Sequence, residues 1–224
     1  MKIAHFRTLL LLLAVCWYSS AIAQNYSSGP AISGQGAVVK KKLDVNSFHS
    51  IGLGINATIY LTQGSQQSVE IEAQQNIIDN LELEVENGSW NIKGKKRIKE
   101  YKDVVIHITM PSVKALSIGG SGKIVGKNEF KSLEELKISI GGSGEVSLAG
   151  SAAATSISIA GSGKVDVRQL GSSSSKVSIA GSGDAYVDVK EKLTVSIAGS
   201  GSVYYAGKPS VKTSVAGSGK VESL

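Results

Sequence analysis

The sequence contains almost no cysteine, and its single copy lies close to the amino terminus. Cys16 is the only cysteine among 224 residues, and it falls within an apolar segment that we expect to be removed. A chain that has lost this segment can form no disulfide, no cysteine-ligated metal site and no thiol nucleophile. Its stability must come from the packing of apolar side chains and from backbone hydrogen bonds.

Proline and aromatic residues are also scarce, with three prolines and 5% aromatic residues against 26 glycines. Valine, isoleucine, serine and threonine dominate the remainder, and no long segment places apolar residues at helical spacing. β-branched residues favour strands because they pack well on a pleated surface. The composition therefore predicts an all-β protein with one domain or two small ones.

The first 23 residues have the pattern of a secretory signal peptide. Basic residues precede an apolar run, Leu9–Trp17, and residues 21–23 (AIA) form a small-x-small cleavage site. The run is too short for a stable membrane span. Lipidation at Cys16 is an alternative, but Val15 stands where a small residue is required. We predict an exported protein, periplasmic, on the outer-membrane surface or secreted, with no membrane span in the mature chain.

Charge gives little indication of a partner. Without the signal, 22 basic residues face 18 acidic ones, a net charge of +4. In an exported protein this mild excess does not indicate nucleic acid. The densest basic stretch, residues 93–102 (KGKKRIKEYK), is interpreted either as a solvated loop or edge strand, or as a surface that meets anionic glycans or lipid headgroups.

The chain divides into three parts after the signal. Residues 24–42 are polar and rich in glycine and serine, which predicts a flexible lead-in. Over residues 43–111 apolar and polar residues alternate in short runs, which predicts an N-terminal half of half-buried strands. Asn87-Gly88 is a hairpin signal, and a short helical turn is expected only within residues 74–82. One of the expected strands runs through Leu81, Leu83 and Val85.

From residue 112 to 224 the sequence repeats a phrase built around Gly-Ser-Gly. Successive copies are 22, 19, 20, 18 and 18 residues apart, a drift typical of stacked coils with variable loops. Both glycines lie at the same alternate positions along the strand as the apolar residues around them. We therefore predict that both point inward at sharp corners, where a Cβ has no room. The corner glycines are Gly120, Gly122, Gly142, Gly144, Gly161, Gly163, Gly181, Gly183, Gly199, Gly201, Gly217 and Gly219.

The residue after each Gly-Ser-Gly points outward, and its charge alternates in sign through the first four copies. These residues are Lys123, Glu145, Lys164 and Asp184. Parallel stacking of the coils would make opposite charges neighbours, and it would also stack Tyr186 on Tyr204. Antiparallel hairpins would explain the turns but not these matched rows. The pattern favours a parallel β-helix or solenoid-like half that continues the strand-rich N-terminal half.

The outside of the repeats offers a candidate binding strip, in which two rows of serine flank a row of glycine and alanine. It would be flat, rich in hydroxyls and about 24 Å long at about 4.8 Å per coil. It is interpreted either as a consequence of the corner, which needs small neighbours, or as a docking face for a glycan, a partner strand layer or the N-terminal half. Its candidate members are Ser121, Ser143, Ser162, Ser182, Ser200, Ser218, Ala160, Ala180 and Ala198.

One copy of the repeat, residues 161–164 (GSGK), is superficially similar to a phosphate-binding loop. Such a loop needs an earlier glycine and a serine or threonine after the lysine, but Ser158 and Val165 occupy these positions. The two histidines outside the signal, His49 and His107, have no second ligand at metal spacing. The sequence therefore predicts no nucleotide, no other cofactor and no metal site.

A small group of outward carboxylates leaves one enzymatic alternative open. Asp184 and Asp188 share one face of a strand, and Asp166 lies one coil away, as carboxylates do in some β-helices that degrade polysaccharides. Basic residues surround them, so ordinary ion pairing explains the group equally well. We predict a non-enzymatic protein, with a polysaccharide-active β-helix enzyme or a purely structural envelope component as alternatives.

Several stretches resemble a known family. Residues 48–64, 69–92 and 108–124, followed by the AGSG copies, are similar to the head GIN domain of putative autotransporter adhesins of Gram-negative bacteria. Gly54-Ile55-Asn56 supplies the GIN motif, and the resemblance covers roughly residues 37–224. It implies an exported all-β protein of the β-helix type. We predict that the protein acts in adhesion or partner binding through an extended β surface, with a glycan or a surface protein as its partner. The resemblance implies no particular binding residues.

The export signal generates the first prediction. We expect the mature chain to begin near Gln24, because the small-x-small site ends one residue earlier. N-terminal sequencing and intact mass of the protein from its native bacterium check this. A mature chain that begins with a lipid-modified Cys16 would contradict it.

Overall fold

The computed structural model describes residues 30–224, whose strands form one continuous 15-stranded sheet and a separate two-stranded sheet. About five turns of parallel β-solenoid occupy residues 115–223. The N-terminal half adds strands to the same sheet. The predicted all-β, solenoid-like fold, continuous between its two halves, is therefore confirmed. The predicted signal peptide, residues 1–23, lies outside the described residues.

The N-terminal half consists of short strands in which buried and exposed residues alternate. Its helix α1 (Gln75–Asp79) buries Ile77 and Ile78 and lies inside the only segment for which the sequence predicts a helical turn. The strands are β1 (Ala31–Ile32), β2 (Val38–Leu43), β3 (Ser50–Leu53), β4 (Thr58–Gln63), β5 (Ser68–Gln74), β6 (Val85–Glu86), β7 (Ser89–Ile92), β8 (Arg97–Ile98), β9 (Val105–Met110) and β10 (Ala115–Ile118).

The repeat half begins with four long strands, each of which continues from one face of the solenoid to the other, and ends with three short strands. The two ends of β11, for example, pair with different N-terminal strands, β4 and β10. The repeat strands are β11 (Lys123–Ile140), β12 (Glu145–Gly161), β13 (Lys164–Gly181), β14 (Asp184–Gly199), β15 (Ser202–Ala206), β16 (Ser210–Gly217) and β17 (Lys220–Ser223).

The coils pair in parallel, and antiparallel strands terminate the stack at its N-terminal end. On one face the order from β17 to β11 continues through β4, β9, β5 and β2, and on the other it continues through β10, β3, β7 and β6. Strands β2, β5 and β6 are the antiparallel members. Asn87 and Gly88 have φ of +51° and +71° and connect β6 to β7, so the predicted hairpin is confirmed.

Two N-terminal segments differ from the prediction. Residues 38–43, which include the end of the predicted flexible lead-in, form β2, because they pair with β5 and Lys40 Nζ lies 2.7 Å from the Glu70 carboxylate. The expected strand through Leu81, Leu83 and Val85 is reduced to β6. Leu83 is 36% exposed, since between α1 and the hairpin the chain pairs only through an isolated bridge of Leu81 to Gly94 and does not continue as a strand.

The core is a single column of apolar side chains that extends from the N-terminal strands to Val203, whereas Val211 and Val215 on β16 of the last coil are exposed. Trp90 and Phe48 pack at the N-terminal end with ring centroids 5.5 Å apart, and Trp90 Nε1 donates a hydrogen bond to the Glu82 carbonyl at 3.0 Å. In the repeat half, the buried hydroxyls of Thr155 and Ser175 bond each other at 2.8 Å. No buried side-chain nitrogen or oxygen of residues 30–224 lacks a partner, so polar groups do not weaken this core.

The two glycines of each corner occupy different environments. Gly163, a second glycine, is buried, and a Cβ there would lie 2.6 Å from Cγ2 of Ile140 inside the core. Gly161, a first glycine, has a φ of +129°, and its Cβ would lie 2.5 Å from the Gly142 carbonyl oxygen of the preceding coil. The predicted inward direction is wrong for Gly161, Gly181, Gly199 and Gly217, because their positive φ interrupts the strand alternation on which that prediction rests.

The outward row that follows the corners is in register from coil to coil. Lys123 pairs with Glu145, Glu145 with Lys164, and Lys164 with Asp184. Lys123 Nζ lies 2.8 Å from Glu145 Oε2, whereas the Asp184 carboxylate accepts a hydrogen bond from the Ser202 backbone N–H at 3.1 Å. The four charged residues are therefore aligned in register from coil to coil. One pair of them forms a close ion pair, and the row is not a continuous ladder of salt bridges.

In the neighbouring outward row, the Tyr186 ring contacts one aromatic and two basic side chains. The predicted stack with Tyr204 is confirmed, with ring centroids 4.8 Å apart and planes 16° apart. Lys164 Nζ and Arg168 Cζ lie 5.0 and 4.8 Å from the Tyr186 ring centroid. Arg168 also donates to both carboxylate oxygens of Asp166, at 2.9 and 2.6 Å. These hydrogen bonds hold the pKa of the Asp166 carboxyl below its ordinary value of 3.8.

The corner geometry predicts an asymmetric response to added methyl groups. Gly163→Ala should lower the free energy of unfolding by about 1–3 kcal/mol, because the new Cβ overlaps Ile140 and the Gly144 carbonyl. The exposed neighbour Ser162 provides the control, and Ser162→Ala should change it by less than about 0.5 kcal/mol. Denaturant unfolding measures both, and equal effects would contradict the corner assignment.

The Asp166–Arg168 pair predicts a pH effect with a definite sign. The folded-state pKa is depressed, so the pair stabilises the fold above the ordinary pKa of 3.8, and this contribution disappears as pH falls through the folded value. Arg168→Gln should raise the pKa of Asp166 in a carbon-detected NMR titration. Lys176→Gln, which also removes one positive charge, should leave it unchanged. An unshifted Asp166 in Arg168→Gln would refute the assignment.

Candidate functional site

The candidate strip lies on the outer surface of the corner region. Parallel pairing aligns Ser158, Ser178, Ser196 and Ser214 in one row and Ala160, Ala180, Ala198 and Ala216 in the next. All nine candidate members of the strip are exposed. The strip is therefore a regular, small-featured surface that no other segment of residues 30–224 covers.

The N-terminal half extends the strip and does not pack on it. Ser117 pairs with Gly52 on β3, and Gly52 pairs with Asn91 on β7. Of the docking alternatives, the one in which the N-terminal half covers the strip is therefore wrong. At this end, Gly52, Gly54 and Gly119 line a shallow depression of about 280 Å³ together with Asn91, Lys93 and Ser117.

The GIN motif forms the corner of the first coil. Leu53 pairs with Ile118 and Thr58 with Lys123, so the residues between these pairs correspond one to one. Ile55-Asn56-Ala57 thus takes the place of Gly120-Ser121-Gly122. The central residues of successive corners form a row, which we call the corner row; it begins with Asn56 and continues with the serines of the Gly-Ser-Gly copies. Side chains larger than hydrogen fit here because no tight corner precedes this one in the stack.

The preceding coil carries an insertion at the same corner. Ile92 pairs with Leu53 and Val105 with Thr58, so residues 93–104 correspond to only the four residues of the first-coil corner. We call residues 93–104 the basic insertion, because they include the densest basic stretch of the chain. It contains strand β8, which pairs with β1, and is therefore part edge strand and part loop.

Tyr101 attaches the basic insertion to the GIN corner. Its hydroxyl accepts a hydrogen bond from the Asn56 backbone N–H at 2.9 Å and donates one to the Asn56 carbonyl at 3.1 Å. Thr58 N–H donates to the Val104 carbonyl at 3.0 Å. The sequence analysis singled out neither Tyr101 nor this contact. The insertion follows from a difference in length, because twelve residues separate β7 from β9 where four separate β3 from β4. This difference can be recognised only once the register of these strands is known.

The basic insertion carries the entire net charge of residues 30–224. It contains two acidic residues, and the remainder of residues 30–224 contains 16 basic and 16 acidic residues. Lys96, Arg97 and Lys99 are exposed, and no acidic side chain of the described chain lies within ion-pair distance of them. The six basic residues of the insertion are Lys93, Lys95, Lys96, Arg97, Lys99 and Lys102.

An open cleft lies between the GIN corner and the basic insertion. Its volume is about 670 Å³, within the range usual for ligand sites. The lining combines aromatic, amide, hydroxyl, cationic and carboxylate groups. Lining residues include Asn56, Thr58, Tyr60, Lys99, Glu100, Tyr101, Lys102 and Asp103.

Two of the three outward carboxylates of the enzymatic alternative, those of Asp166 and Asp184, have separate structural partners. Asp166 bonds Arg168, and Asp184 accepts the Ser202 N–H. Asp188 contributes its backbone carbonyl to a hydrogen bond from the Ser172 hydroxyl. Within residues 30–224, no three histidine, cysteine or carboxylate side chains gather in a way that would hold a metal ion. An ionised Asp166, with its lowered pKa, is a poor proton donor near neutral pH.

No helix within residues 30–224 has the length and apolar character that crossing a bilayer requires. A search of curated proteins found no match.

Solved structures share the fold. The chain is similar to a putative adhesin from Bacteroides fragilis, with 22% identity over 86% of this chain and 100% of that one and a TM-score of 0.71. A putative lipid binding protein from Parabacteroides distasonis has 20% identity, coverages of 87% and 100%, and a TM-score of 0.56. A putative adhesin from Parabacteroides merdae has 18% identity, coverages of 87% and 99%, and a TM-score of 0.53.

At these identities the similarity concerns the fold alone. A family model, in contrast, matches residues 47–209 directly. This match includes the GIN corner, the basic insertion and five of the six Gly-Ser-Gly corners. The chain belongs to the family described as putative auto-transporter adhesin, head GIN domain.

Proposed function

We propose that this protein is an exported, non-enzymatic binding module of the cell envelope or cell surface. It acts as an adhesin or partner-binding protein through an extended β surface, and its partner is a glycan or a surface protein. The export signal in residues 1–23 and the family membership support this assignment. The observation that carries it is the exposed strip, whose serine and alanine rows repeat in register along the coils.

The strip has the physical properties of a docking surface for an extended partner. Its alanines lie on strands paired on both sides, and corner serines such as Ser162 and Ser182 are held by backbone hydrogen bonds to the preceding coil, so little conformational freedom is lost when a partner binds. Small side chains allow close approach, and the hydroxyls offer a donor and acceptors at every coil. A partner with its own regular spacing, such as a glycan chain or a strand, can therefore make the same contact several times over.

The strip predicts a loss of binding when bulky charges are placed on it. The combined variant Ala160→Lys, Ala180→Lys and Ala198→Lys should reduce adhesion to bacterial cells and to immobilised glycans by about tenfold or more. Its unfolding midpoint should stay close to that of the wild type, because all three positions are exposed. Binding of labelled protein to cells and to a glycan array measures the effect.

The control adds the same charge elsewhere. Ala153→Lys, Gln169→Lys and Glu191→Gln alter exposed positions outside the strip, and this variant should bind like the wild type. Undiminished binding by the strip variant would refute the docking role of the strip. A ligand lost only on Asp184→Asn and Asp188→Asn would favour a polysaccharide-active enzyme.

Localisation provides a separate prediction. Surface labelling of intact cells should modify the protein if it contacts partners outside the cell. Labelling only after the outer membrane is permeabilised would place it in the periplasm and contradict a surface adhesin.

A further inference from the structure

The cleft beside the GIN motif has a lining that the strip lacks. Here two aromatic rings, Tyr60 and Tyr101, lie with an amide and a hydroxyl group close to two lysines. Lys127 Nζ lies 4.8 Å from the centroid of the Tyr60 ring, which adds a third ammonium group to the two of the cleft lining. Aromatic rings, amides and charged groups together are the usual means by which proteins bind polar ligands that also have apolar faces.

The cleft is held in shape by backbone and side-chain hydrogen bonds. Besides the Tyr101–Asn56 contact, Lys99 N–H donates to the Ile32 carbonyl at 2.9 Å. Lys102 N–H donates to Oε1 of the buried Gln74 at 3.0 Å, and Gly34 N–H donates to the Glu100 carbonyl at 2.7 Å. The basic insertion is therefore attached on both of its sides, and the cleft exists before any ligand arrives.

The charge of the cleft region selects for anions. The remainder of residues 30–224 is balanced in charge, whereas the basic insertion carries a net charge of +4. Lys96, Arg97 and Lys99 are exposed and have no acidic partner within ion-pair distance. Concentrated positive charge beside a cleft attracts negatively charged ligands and accelerates their association.

Two carboxylates in the same cleft narrow the ligand class. Glu100 and Asp103 would repel a phosphate-rich surface such as an anionic membrane, but they accept hydrogen bonds from hydroxyl groups. A ligand that satisfies both sets of groups carries many hydroxyls and, at intervals, a carboxylate or sulfate. Sugars also present apolar C–H faces to aromatic rings, which matches Tyr101, whereas the Tyr60 ring already lies against His107 and Lys127.

We propose that the cleft between the GIN corner and the basic insertion binds an anionic polysaccharide, whose chain continues along the corner row. This inference rests on the proposed binding function and names its ligand class. Asn56 lines the cleft and is also the first member of the row that Ser121, Ser143 and Ser162 continue. Carboxylate or sulfate groups of the polysaccharide pair with the exposed lysines and arginine, and its hydroxyls bond Glu100, Asp103 and the serines.

The first test removes the positive charge of the insertion. The variant Lys96→Gln, Arg97→Gln and Lys99→Gln should bind heparin and polygalacturonate about tenfold or more weakly than the wild type in calorimetry at low salt. The control variant Lys40→Gln, Lys41→Gln and Lys42→Gln removes the same charge from the other basic run, on β2. It should bind within about twofold of the wild type. Equal losses in both variants would overturn the site.

The second test distinguishes recognition of a sugar from simple charge attraction. Glu100→Gln with Asp103→Asn makes the cleft more positive, so charge attraction alone would tighten the binding of every polyanion. If the two carboxylates bond sugar hydroxyls, this variant should bind both polysaccharides more weakly. Tighter binding would overturn the proposal, as would binding of phosphatidylglycerol vesicles that matches or exceeds that of the polysaccharides.

The two proposals fail in different ways. A wild-type protein that binds neither polysaccharide, yet adheres to cells in a manner that the strip variant abolishes, would overturn this inference and leave the proposed function in place. Polysaccharide binding that depends on the insertion, in a protein whose strip variant still adheres to cells, would support the inference and refute the role of the strip.

Discussion

Close contact between successive corners is the constraint on which the rest of the molecule depends. The backbones approach so closely that a Cβ on Gly161 would lie 2.5 Å from the carbonyl oxygen of Gly142. The same approach allows Ser162 N–H to donate to that carbonyl at 2.9 Å, and Ser182 N–H to donate to Gly161 at the same distance. Glycine permits the contact, the hydrogen bonds fix the register, and the fixed register aligns every outward row.

The two proposed binding surfaces, the strip and the cleft, differ because the close corner contact is present in the repeat half and absent from the N-terminal corners. Along the repeat half it requires glycine at the corners, and the exposed rows beside them carry serine, glycine and alanine. At the first coil it is relaxed, so Ile55-Asn56-Ala57 forms the corner and the basic insertion fills the position of the preceding one. The chain thus places its most varied side chains and its net charge at the end of its most uniform surface.

The sequence predicted the fold well because its strongest signals were local and repeated. Alternation through each copy, the drift of the period and the matched Tyr186 and Tyr204 all depend on single strands or their neighbours. The inward direction of Gly161 was wrong because its positive φ breaks the alternation on which parity depends. The cleft could not be predicted, since the contact of Tyr101 with Asn56 requires the long-range pairing of β3, β4, β7 and β9.

The similarity of the coils has a consequence for how the chain folds. A strand displaced by one whole coil would bury almost the same valines and isoleucines and would align the same corners, so misaligned stacks compete closely with the native one. The coils of the N-terminal half differ from all others, because they contain Trp90 beside Phe48 and lack the Gly-Ser-Gly corner. If folding begins there, only one register fits the distinct N-terminal coils, and the shifted alternatives are excluded. Each later coil then pairs with the coil before it in that register.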